Sequence, residues 1–444
     1  MSDPELPAIP IADKELPQIG SEISLFVKHV DSIGHVLIGL VFALQEVSKQ
    51  SRTELHDFED KTCTVEKDGG KRSVQVPNEH YREWKKLFKR LEHFDLSRDL
   101  LPRSLLVSLV SQYDAFLGRV LRTIFLKKPE LLNGSDRKIT FEALQHFSSI
   151  ETAREYILEK EVETILRSSH SEQFKWMERA FAIPLTKDLK SWPTFVELTE
   201  RRNLFVHTDG VVSSQYMAVC SSLDAKLTEG QKEGMRLGVP QDYFKIAHDC
   251  IYEIGVKLAH VLWRKLFPDE REKADNSLIA TSYELIEGGR YPLAISLLDF
   301  GCDGMKSHAN EITKLALIVN RAQAYKWSGD QERCKKIMKA VDWSAKSDNF
   351  RLADAVLRED WQEAAKLVIR IGAEGVVSAL HYRDWPLFRE FRKEEAFLDA
   401  YRTTFGVDFS KKSEKAQESV PEAKETPLID ATPNHEAIEE ASRQ

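Results

Sequence analysis

Arg202 and Asn203, with His207 five positions after the arginine, combine three side chains that can act together on a phosphodiester. Histidine titrates near neutrality, so His207 can take a proton from an RNA 2′-hydroxyl or donate one to the leaving 5′-oxygen. Arginine stays charged and can bind the scissile phosphate with two donors, which stabilises the negative charge of the transition state. Asparagine can orient the imidazole or bind a phosphate oxygen. We therefore predict that Arg202 and His207 carry catalysis and that Asn203 supports them.

These residues lie at the end of a predicted helix, residues 192–207. At about 100° per residue, Glu200, Asn203 and His207 fall on one stripe, so Glu200 is also predicted to support the site. Arg202 lies about 140° from His207 around an ideal helix. Two solutions stay open: the last turn of the helix is distorted, or a second chain completes the site. A further explanation needs no catalysis, because cations near the C-terminus of a helix suit its dipole.

The sequence from about Trp192 to Tyr216 resembles the motif helix of the HEPN superfamily (higher eukaryotes and prokaryotes nucleotide-binding). The signature of that superfamily is an arginine, commonly followed by a polar residue, then four to six residues and a histidine. Asp209-Gly210 follows His207 as a turn that is typical of a helix end. The resemblance extends over about Leu100 to Phe267. Some relatives carry a modified tyrosine at the position of Asp209, so regulation of that kind is not expected here.

The resemblance implies an all-α helical bundle and a metal-independent endoribonuclease without a cofactor. Cleavage through the 2′-hydroxyl of the RNA would leave a 2′,3′-cyclic phosphate. Nucleases of this superfamily generally pair their motif helices across a two-fold axis, so a homodimer is implied. They often act as toxins or as anti-phage effectors that cleave cellular RNA. Many HEPN domains are believed to have lost catalysis, and the alternative is a non-catalytic helical adaptor or nucleotide-binding module.

The composition is that of an ordinary water-soluble protein with two or three domains: 444 residues, 42% hydrophobic and 30% charged. The net charge of −8 argues against non-specific coating of nucleic acids, although a local basic patch can still bind RNA. Five widely spaced cysteines lack zinc-ligand spacing and fit buried positions in a reducing compartment. The most apolar run, Val36 to Leu44, is too short to span a bilayer, and the N-terminus is unlike a signal peptide. A cytoplasmic location without membrane contact is predicted.

Helical periodicity dominates the chain and predicts an all-α fold. A polar stretch between Ser51 and Pro77 interrupts it, where a short hairpin is predicted to flank a turn at Gly69-Gly70. The predicted organisation is a disordered tail (1–20), an N-terminal helical region with a polar loop (21–99), a HEPN-like helical bundle (100–268), tetratricopeptide-like helical repeats (269–406) and a second disordered tail (407–444).

Four short sequences after Phe267 align with one another and resemble the inter-helix turn of tetratricopeptide-like hairpins. They begin at Arg290, Asp330, Asp360 and Asp384, and each has a large apolar residue seven positions in. Three of them have a small residue four positions in. Their starts are unevenly spaced, so the strict period of about 34 residues is absent. We predict a short, irregular α-solenoid that presents a groove to a protein partner or to the catalytic domain; plain helical hairpins packed on the bundle are an equal alternative.

Asp114 is an unusual residue, because it is a carboxylate within an otherwise apolar helix. Asp114 is a candidate to support the site by orienting Arg202 or His207, although capping or a structural ion pair is the favoured interpretation. Two basic runs are further candidates for an RNA groove, although solvated helix faces are the favoured interpretation. They are residues 82–90, which include Trp84 and Phe88, and the cluster Arg119, Arg122, Lys127 and Lys128.

Overall fold

The computed structural model of the protein describes residues 17–68, 71–134, 139–223 and 231–409. Over these residues the fold is all-α apart from one antiparallel pair of strands, which confirms the predicted fold class. The first group of helices comprises α1 (Ile19–Thr62), α2 (Tyr81–Lys127), α3 (Phe141–Gln145), α4 (Ile150–Arg167), α5 (His170–Phe181), α6 (Trp192–His207), α7 (Ser214–Ser222) and α8 (Gln241–Leu266). The second group comprises α9 (Arg271–Glu287), α10 (Tyr291–Asp299), α11 (Glu311–Trp327), α12 (Gln331–Lys339), α13 (Asp348–Leu357), α14 (Trp361–Ile371), α15 (Ala379–Asp384) and α16 (Glu395–Phe405).

The helices α1 and α2 form a long antiparallel pair, joined by β1 (Thr64–Asp68) and β2 (Lys71–Gln75). The two strands confirm the predicted hairpin; the glycines of its predicted turn lie outside the described residues. The helix α1 continues into the polar stretch that begins at Ser51, because its last turns still pack against β2 and α2. Buried Glu59 accepts hydrogen bonds from Arg72 of β2, at 2.9 Å, and from the Trp84 indole of α2, also at 2.9 Å. These contacts fix the strands against both helices.

The first half of α1, the second half of α2 and α8 share one apolar core. Phe26 stacks on Phe116 with ring centroids 4.2 Å apart. The close approach of α8 requires Gly255, since a Cβ at that position would lie 2.3 Å from the Phe26 ring. The domain boundary predicted between residues 99 and 100 falls inside α2, so the two predicted regions are continuous. Ile19, at the end of the predicted N-terminal tail, is fully buried and begins α1, whereas residues 1–16 and 410–444 of the predicted tails lie outside the described residues.

The C-terminal repeats form three consecutive helical hairpins, α9–α10, α11–α12 and α13–α14, that pack one after another. The residue before each of the first three aligned starts has a left-handed backbone: Gly289, Gly329 and Glu359 have φ of 71°, 97° and 64°. The arrangement is that of a short α-solenoid, with its first hairpin in the core of the bundle. The fourth aligned sequence differs, because Pro386–Phe388 is a 3₁₀ turn in place of the start of an α-helix.

The helix α1 contains an 18-residue stretch with a mean hydropathy of 1.5, which is apolar and long enough to cross a membrane. This stretch is longer than the nine-residue run singled out in the sequence. Of its residues, 22% are buried in the protein. Core helices of soluble proteins and signal sequences meet the same criterion, and Ile23, Phe26 and Val30 of α1 lie in the bundle core.

His260 of α8 is fully buried, and neither ring nitrogen has a hydrogen-bond partner among the described residues. Burial, together with neighbouring Arg264, lowers its pKa to about 3. The unfolded chain has a histidine pKa of about 6.5, so this group contributes stability that is complete above pH 6.5 and is lost as the pH falls towards 3. We expect His260→Leu to reduce the loss of stability between pH 7 and pH 4.5 by about 2–3 kcal/mol.

Urea unfolding of wild type and variant at the two pH values measures this difference. The exposed His93 of α2 supplies the matched control, since His93→Leu should leave the pH dependence unchanged. Equal losses in wild type and His260→Leu would show that His260 does not drive the acid sensitivity.

Candidate active site

The buried side of α6 is held by a polar network around Glu197. This carboxylate accepts hydrogen bonds from Arg201 at 2.8 Å, from Tyr216 of α7 at 2.5 Å and from Tyr243 of α8 at 2.7 Å. Burial and the nearby carboxylate raise the pKa of both tyrosines, so their hydroxyl groups remain donors. The guanidinium of Arg201 also stacks on the Tyr243 ring, 3.8 Å from its centroid. Glu197 and Arg201 therefore fix α6 against its neighbours and are not available to a substrate.

The opposite side of α6 lines an open cleft of about 530 Å³. Four predicted site residues line this cleft, which we call the α6 cleft: Glu200, Arg202, Asn203 and His207. The other walls are the junction of α4 and α5 and the segment that leads into α7, with Leu166, Arg167, Ser168, Ser169, His170, Leu204, Thr208, Ser213 and Gln215. The cleft thus brings together the three residues that the sequence placed on one stripe of the helix, and Arg202 as well.

Asp114, the remaining predicted site residue, lies on α2 behind the wall of the α6 cleft. One of its oxygens accepts a hydrogen bond from Nη2 of Arg202 at 2.8 Å. The other lies 2.9 Å from Nε2 of His170, the first residue of α5. The structure thus pairs Asp114 with Arg202, as one of the predictions stated, and also with a second histidine.

His170 is the residue that the sequence did not indicate. It precedes Arg202 by 32 positions, and no spacing links it to the motif. Its side chain is nearly buried, and its ring packs against Tyr113 and Phe195. A serine immediately before it caps α5, as the Ser169 hydroxyl accepts the backbone N–H of Glu172 at 3.3 Å. Only the tertiary contact with Asp114 reveals that this histidine belongs to the cleft.

Arg202 and His207 reach the same cleft without a break in the helix. The helix α6 is regular through His207, so the distorted last turn is not observed. Arg202 starts on a different side of α6, but its long side chain extends towards α2 and is held there by Asp114. One chain therefore suffices to place the guanidinium and the imidazole in a single cleft, and a second chain is not required for that purpose.

The predicted turn after His207 is confirmed and firmly held. Asp209 and Gly210 have left-handed backbones, with φ of 53° and 83°. The Gly210 N–H donates to the Leu204 carbonyl at 3.0 Å, which closes the end of α6. Arg103 of α2 donates to the backbone and side-chain oxygens of Asp209, both at 3.3 Å, and Arg236 binds the same carboxylate. Asp209 therefore has a structural role at this position.

Three of the cleft side chains are unengaged by the protein. Among the described residues, neither Glu200 nor Asn203 nor His207 has a side-chain hydrogen bond or ion pair, and His207 is exposed. Nε of Arg202 is buried without a partner in the same part of the chain. The cleft therefore offers an amide, a carboxylate and an imidazole to a bound molecule, next to an arginine that Asp114 has already oriented.

The second basic cluster proves to be largely neutralised. Arg119 bonds Glu22 at 2.6 Å, Lys127 bonds Glu270 at 2.9 Å, and Arg122 forms an ion pair with Glu159.

In the run over residues 82–90, Trp84 stacks on its aromatic neighbours and bonds Glu59, as described above. Arg90 of this run forms an ion pair with Glu54. The other cations of the run are exposed and form no ion pair among the described residues: Arg82, Lys85, Lys86 and Lys89.

The cysteines and acidic residues offer no second reactive centre in the described ranges. All five thiols are unpaired, and burial raises the pKa of Cys220, Cys302 and Cys334 to about 11, which keeps them protonated. No group of three or more metal-ligating side chains lies close enough to hold a metal ion in this part of the chain.

Comparisons of the chain with protein-family models, with curated proteins and with solved structures found no match in any of the three. The geometry of the α6 cleft and the resemblance of its motif to the HEPN motif helix are therefore the features that bear on function.

Proposed function

We propose that the protein is a metal-independent endoribonuclease of HEPN type and that the α6 cleft is its active site. The observation that carries this proposal is the convergence of Arg202, Asn203 and His207 on one open cleft, with Arg202 oriented by Asp114. Asp114 accepts one hydrogen bond from Nη2, and Nε is buried, so the remaining N–H groups of Nη1 and Nη2 are left for a phosphate. The exposed imidazole of His207 is free to exchange protons with the RNA and with water.

The charges that line the α6 cleft suit a phosphate ester. Arg167 and Arg202 line the cleft, and each also has a carboxylate partner, Glu163 and Asp114. Glu200 is the one carboxylate among the lining side chains of the described residues, and protonation of an imidazole adds positive charge. In the proposed reaction Arg202 binds the non-bridging phosphate oxygens, and such preorganised donors stabilise the transition state more than the ground state.

The proposal is tested by incubating the purified protein with total RNA in the presence of EDTA. We expect cleavage, with 2′,3′-cyclic phosphate at the new 3′ ends and free 5′-hydroxyl groups. An RNA that carries a 2′-deoxynucleotide at the cleavage position serves as the matched control and should resist cleavage. A requirement for a divalent metal, or new 5′-phosphate ends, would contradict this mechanism.

A non-catalytic adaptor or nucleotide-binding module is the second candidate. One observation in its favour is the ion pair between Arg202 and Asp114, which already satisfies part of the guanidinium. The other is the set of helical hairpins in the C-terminal half, since such hairpins present surfaces to partners. Binding of RNA or nucleotides without any strand scission in the same assay would support this candidate.

We further propose a homodimer that forms beside the end of α6. Phe42 of α1, Leu100 of α2 and Val206 of α6 are large apolar side chains that are exposed. Phe42 and Leu100 lie at the same level, because Ser48 bonds Asp95 and the two helices are antiparallel. The end of α6 joins this surface through the contact between Arg103 and Asp209. Exposed apolar side chains on neighbouring helices can pair with those of a second copy across a two-fold axis.

Sedimentation should give twice the mass of one chain, and Leu100→Glu combined with Val206→Glu should give monomers. A charge introduced into a desolvated interface has no partner and disfavours association. Ile312→Glu, at an exposed apolar position of α11, is the matched control and should remain dimeric. A wild-type protein that sediments as a monomer would refute the dimer.

The C-terminal hairpins and the cysteines support two further parts of the proposal. A groove of about 830 Å³ lies beside α11 and α12, and cations such as Lys314 and Arg333 line it together with carboxylates such as Asp303 and Glu311. The hairpins are proposed to hold a protein partner. The five unpaired cysteines fit a reducing compartment, and the cytoplasm is the proposed location.

A toxin or anti-phage effector that cleaves cellular RNA is the biological role that the HEPN resemblance favours. Neighbouring genes for an antitoxin or a defence cassette would support it.

A further inference from the structure

We propose that His170 is the general base of the α6 cleft and that His207 is the general acid, so that one chain supplies both proton-transfer groups. This inference rests on the proposed endoribonuclease function. The first observation is the position of His170, which is one of the residues that line the cleft with Arg202 and His207. The second is the contact of its Nε2 with Asp114 at 2.9 Å.

The contact with Asp114 decides which nitrogen of His170 can act as a base. An ionised carboxylate only accepts hydrogen bonds, so Nε2 of His170 must carry the proton. In the neutral ring the lone pair then lies on Nδ1, which has no hydrogen-bond partner among the described residues. When Nδ1 accepts a proton, Asp114 stabilises the imidazolium that forms, as the aspartate of a serine-protease triad does.

His207 has the complementary surroundings. It is exposed at the last position of α6, and no carboxylate or carbonyl of the described residues holds either ring nitrogen. Its charged form can be restored from water after each turnover. A histidine that must give up a proton in the cleavage step gains nothing from a carboxylate partner, because such a partner stabilises the charged form that is lost.

The cleavage step then balances as follows. Nδ1 of His170 takes the proton of the RNA 2′-hydroxyl, and the 2′-oxygen forms a bond to phosphorus. The bond from phosphorus to the 5′-oxygen breaks, and the imidazolium of His207 donates its proton to that leaving oxygen. The products are a 2′,3′-cyclic phosphate and a 5′-hydroxyl. Arg202 balances the charge on the non-bridging oxygens throughout.

Asp114 acts in this scheme as a positioning residue for two groups at once. It accepts from Nη2 of Arg202 through one oxygen and contacts His170 through the other. The base and the phosphate-binding cation are therefore fixed relative to one another by a single side chain of α2. The geometry explains why a carboxylate occurs in a helix whose neighbouring residues Tyr113, Phe116 and Leu117 are buried and apolar.

The experiment compares two short RNA substrates in single-turnover reactions with EDTA, one with a normal 5′-oxygen and one with sulfur as the bridging 5′ atom at the cleavage position. A thiolate leaves without being protonated, so the sulfur substrate does not need a general acid. The variants are His207→Ala and His170→Gln. Glutamine retains a donor for Asp114 but cannot accept the proton. His93→Ala on α2, an exposed histidine 21 positions from Asp114, is the matched control.

With the oxygen substrate, both variants should lose about 10²–10⁴-fold in rate, while His93→Ala cleaves at the wild-type rate. With the sulfur substrate, His207→Ala should recover to the wild-type rate and His170→Gln should remain slow. A structural role of either histidine predicts no such difference between the substrates. Circular dichroism confirms the fold of each variant, and His170→Asn repeats the test if His170→Gln does not fold.

The outcomes separate the inference from the function on which it rests. If the wild-type protein leaves both substrates intact, the proposed function fails. If the wild type cleaves and His170→Gln cleaves the oxygen substrate equally fast, His170 is not the base. The assignment of base and acid would be overturned if His170→Gln cleaved the sulfur substrate at the wild-type rate. It would also be overturned if His207→Ala stayed slow on that substrate.

Discussion

His207→Ala and Arg202→Ala are each expected to lower the rate of RNA cleavage by about 10²–10⁴-fold without loss of the fold. The imidazole of His207 is exposed and makes no hydrogen bond within the described residues, so its removal leaves the packing of α6 unchanged. Removal of the Arg202 guanidinium leaves Asp114 in contact with His170. The buried network around Glu197, which holds α6 in place, is untouched by either substitution.

Single-turnover cleavage of a defined RNA in EDTA measures the effect, with thermal melting as the check on folding. Arg52→Ala is a matched control for Arg202→Ala, because Arg52 also forms an ion pair with an aspartate, Asp95 at 3.0 Å, far along the helical hairpin. Arg202→Lys should retain part of the activity, since lysine supplies the charge without the two-donor geometry. Full activity in His207→Ala or in Arg202→Ala would remove the α6 cleft from the mechanism.

The helix that carries the motif was predictable from the sequence because its signals are local. Apolar periodicity marks its length, and Asp209-Gly210 marks its end through backbone conformations that favour glycine and aspartate. The stripe of Glu200, Asn203 and His207 followed from helix geometry alone, and the structure places all three in one cleft. The same reasoning located the turns of the C-terminal hairpins, where each left-handed residue precedes a helix start.

The partners of that helix were only partly predictable, because they depend on contacts between distant parts of the chain. Asp114 was singled out by its apolar surroundings, although it is 88 residues away from the arginine that it binds, whereas His170 lies in a short polar stretch with no motif. The angular separation of Arg202 and His207 around the helix axis suggested a distorted turn or a second chain, because backbone positions alone do not account for the length of a side chain. The length of the arginine side chain and the position of Asp114 resolve the separation within one chain.

The continuous course of α2 was also beyond the reach of sequence patterns. Pro102 lies inside this helix, and a proline usually marks a boundary. Here an ion pair between Asp99 and Arg103, four positions apart within α2, spans the proline at 2.6 Å. Arg103 also makes a tertiary contact with Asp209, just beyond the end of α6. Contacts with α1 and α6 therefore outweigh the local preference, and α2 links the long helical hairpin to the α6 cleft.

A mixture of Arg202→Ala and His207→Ala chains is expected to stay inactive even if the protein is a dimer. Both side chains line a cleft formed by one chain, so in a mixed dimer one cleft lacks the cation and the other lacks the imidazole. If the arginine of one chain instead worked with the histidine of its partner, one site in each mixed dimer would be intact. In a preparation that contains only mixed dimers, one of two sites would then be intact, so about half of the wild-type activity would return.

The two chains, each with a different affinity tag, are mixed, dissociated in mild denaturant, refolded and purified through both tags in sequence. Cleavage of the defined RNA is then compared with that of wild-type dimers treated in the same way, and the pair of Arg52→Ala and His93→Ala chains controls for losses on refolding. Activity in the doubly tagged fraction would show that the active site is shared between chains. Its absence, with the control pair fully active, is the result that a complete α6 cleft in each chain requires.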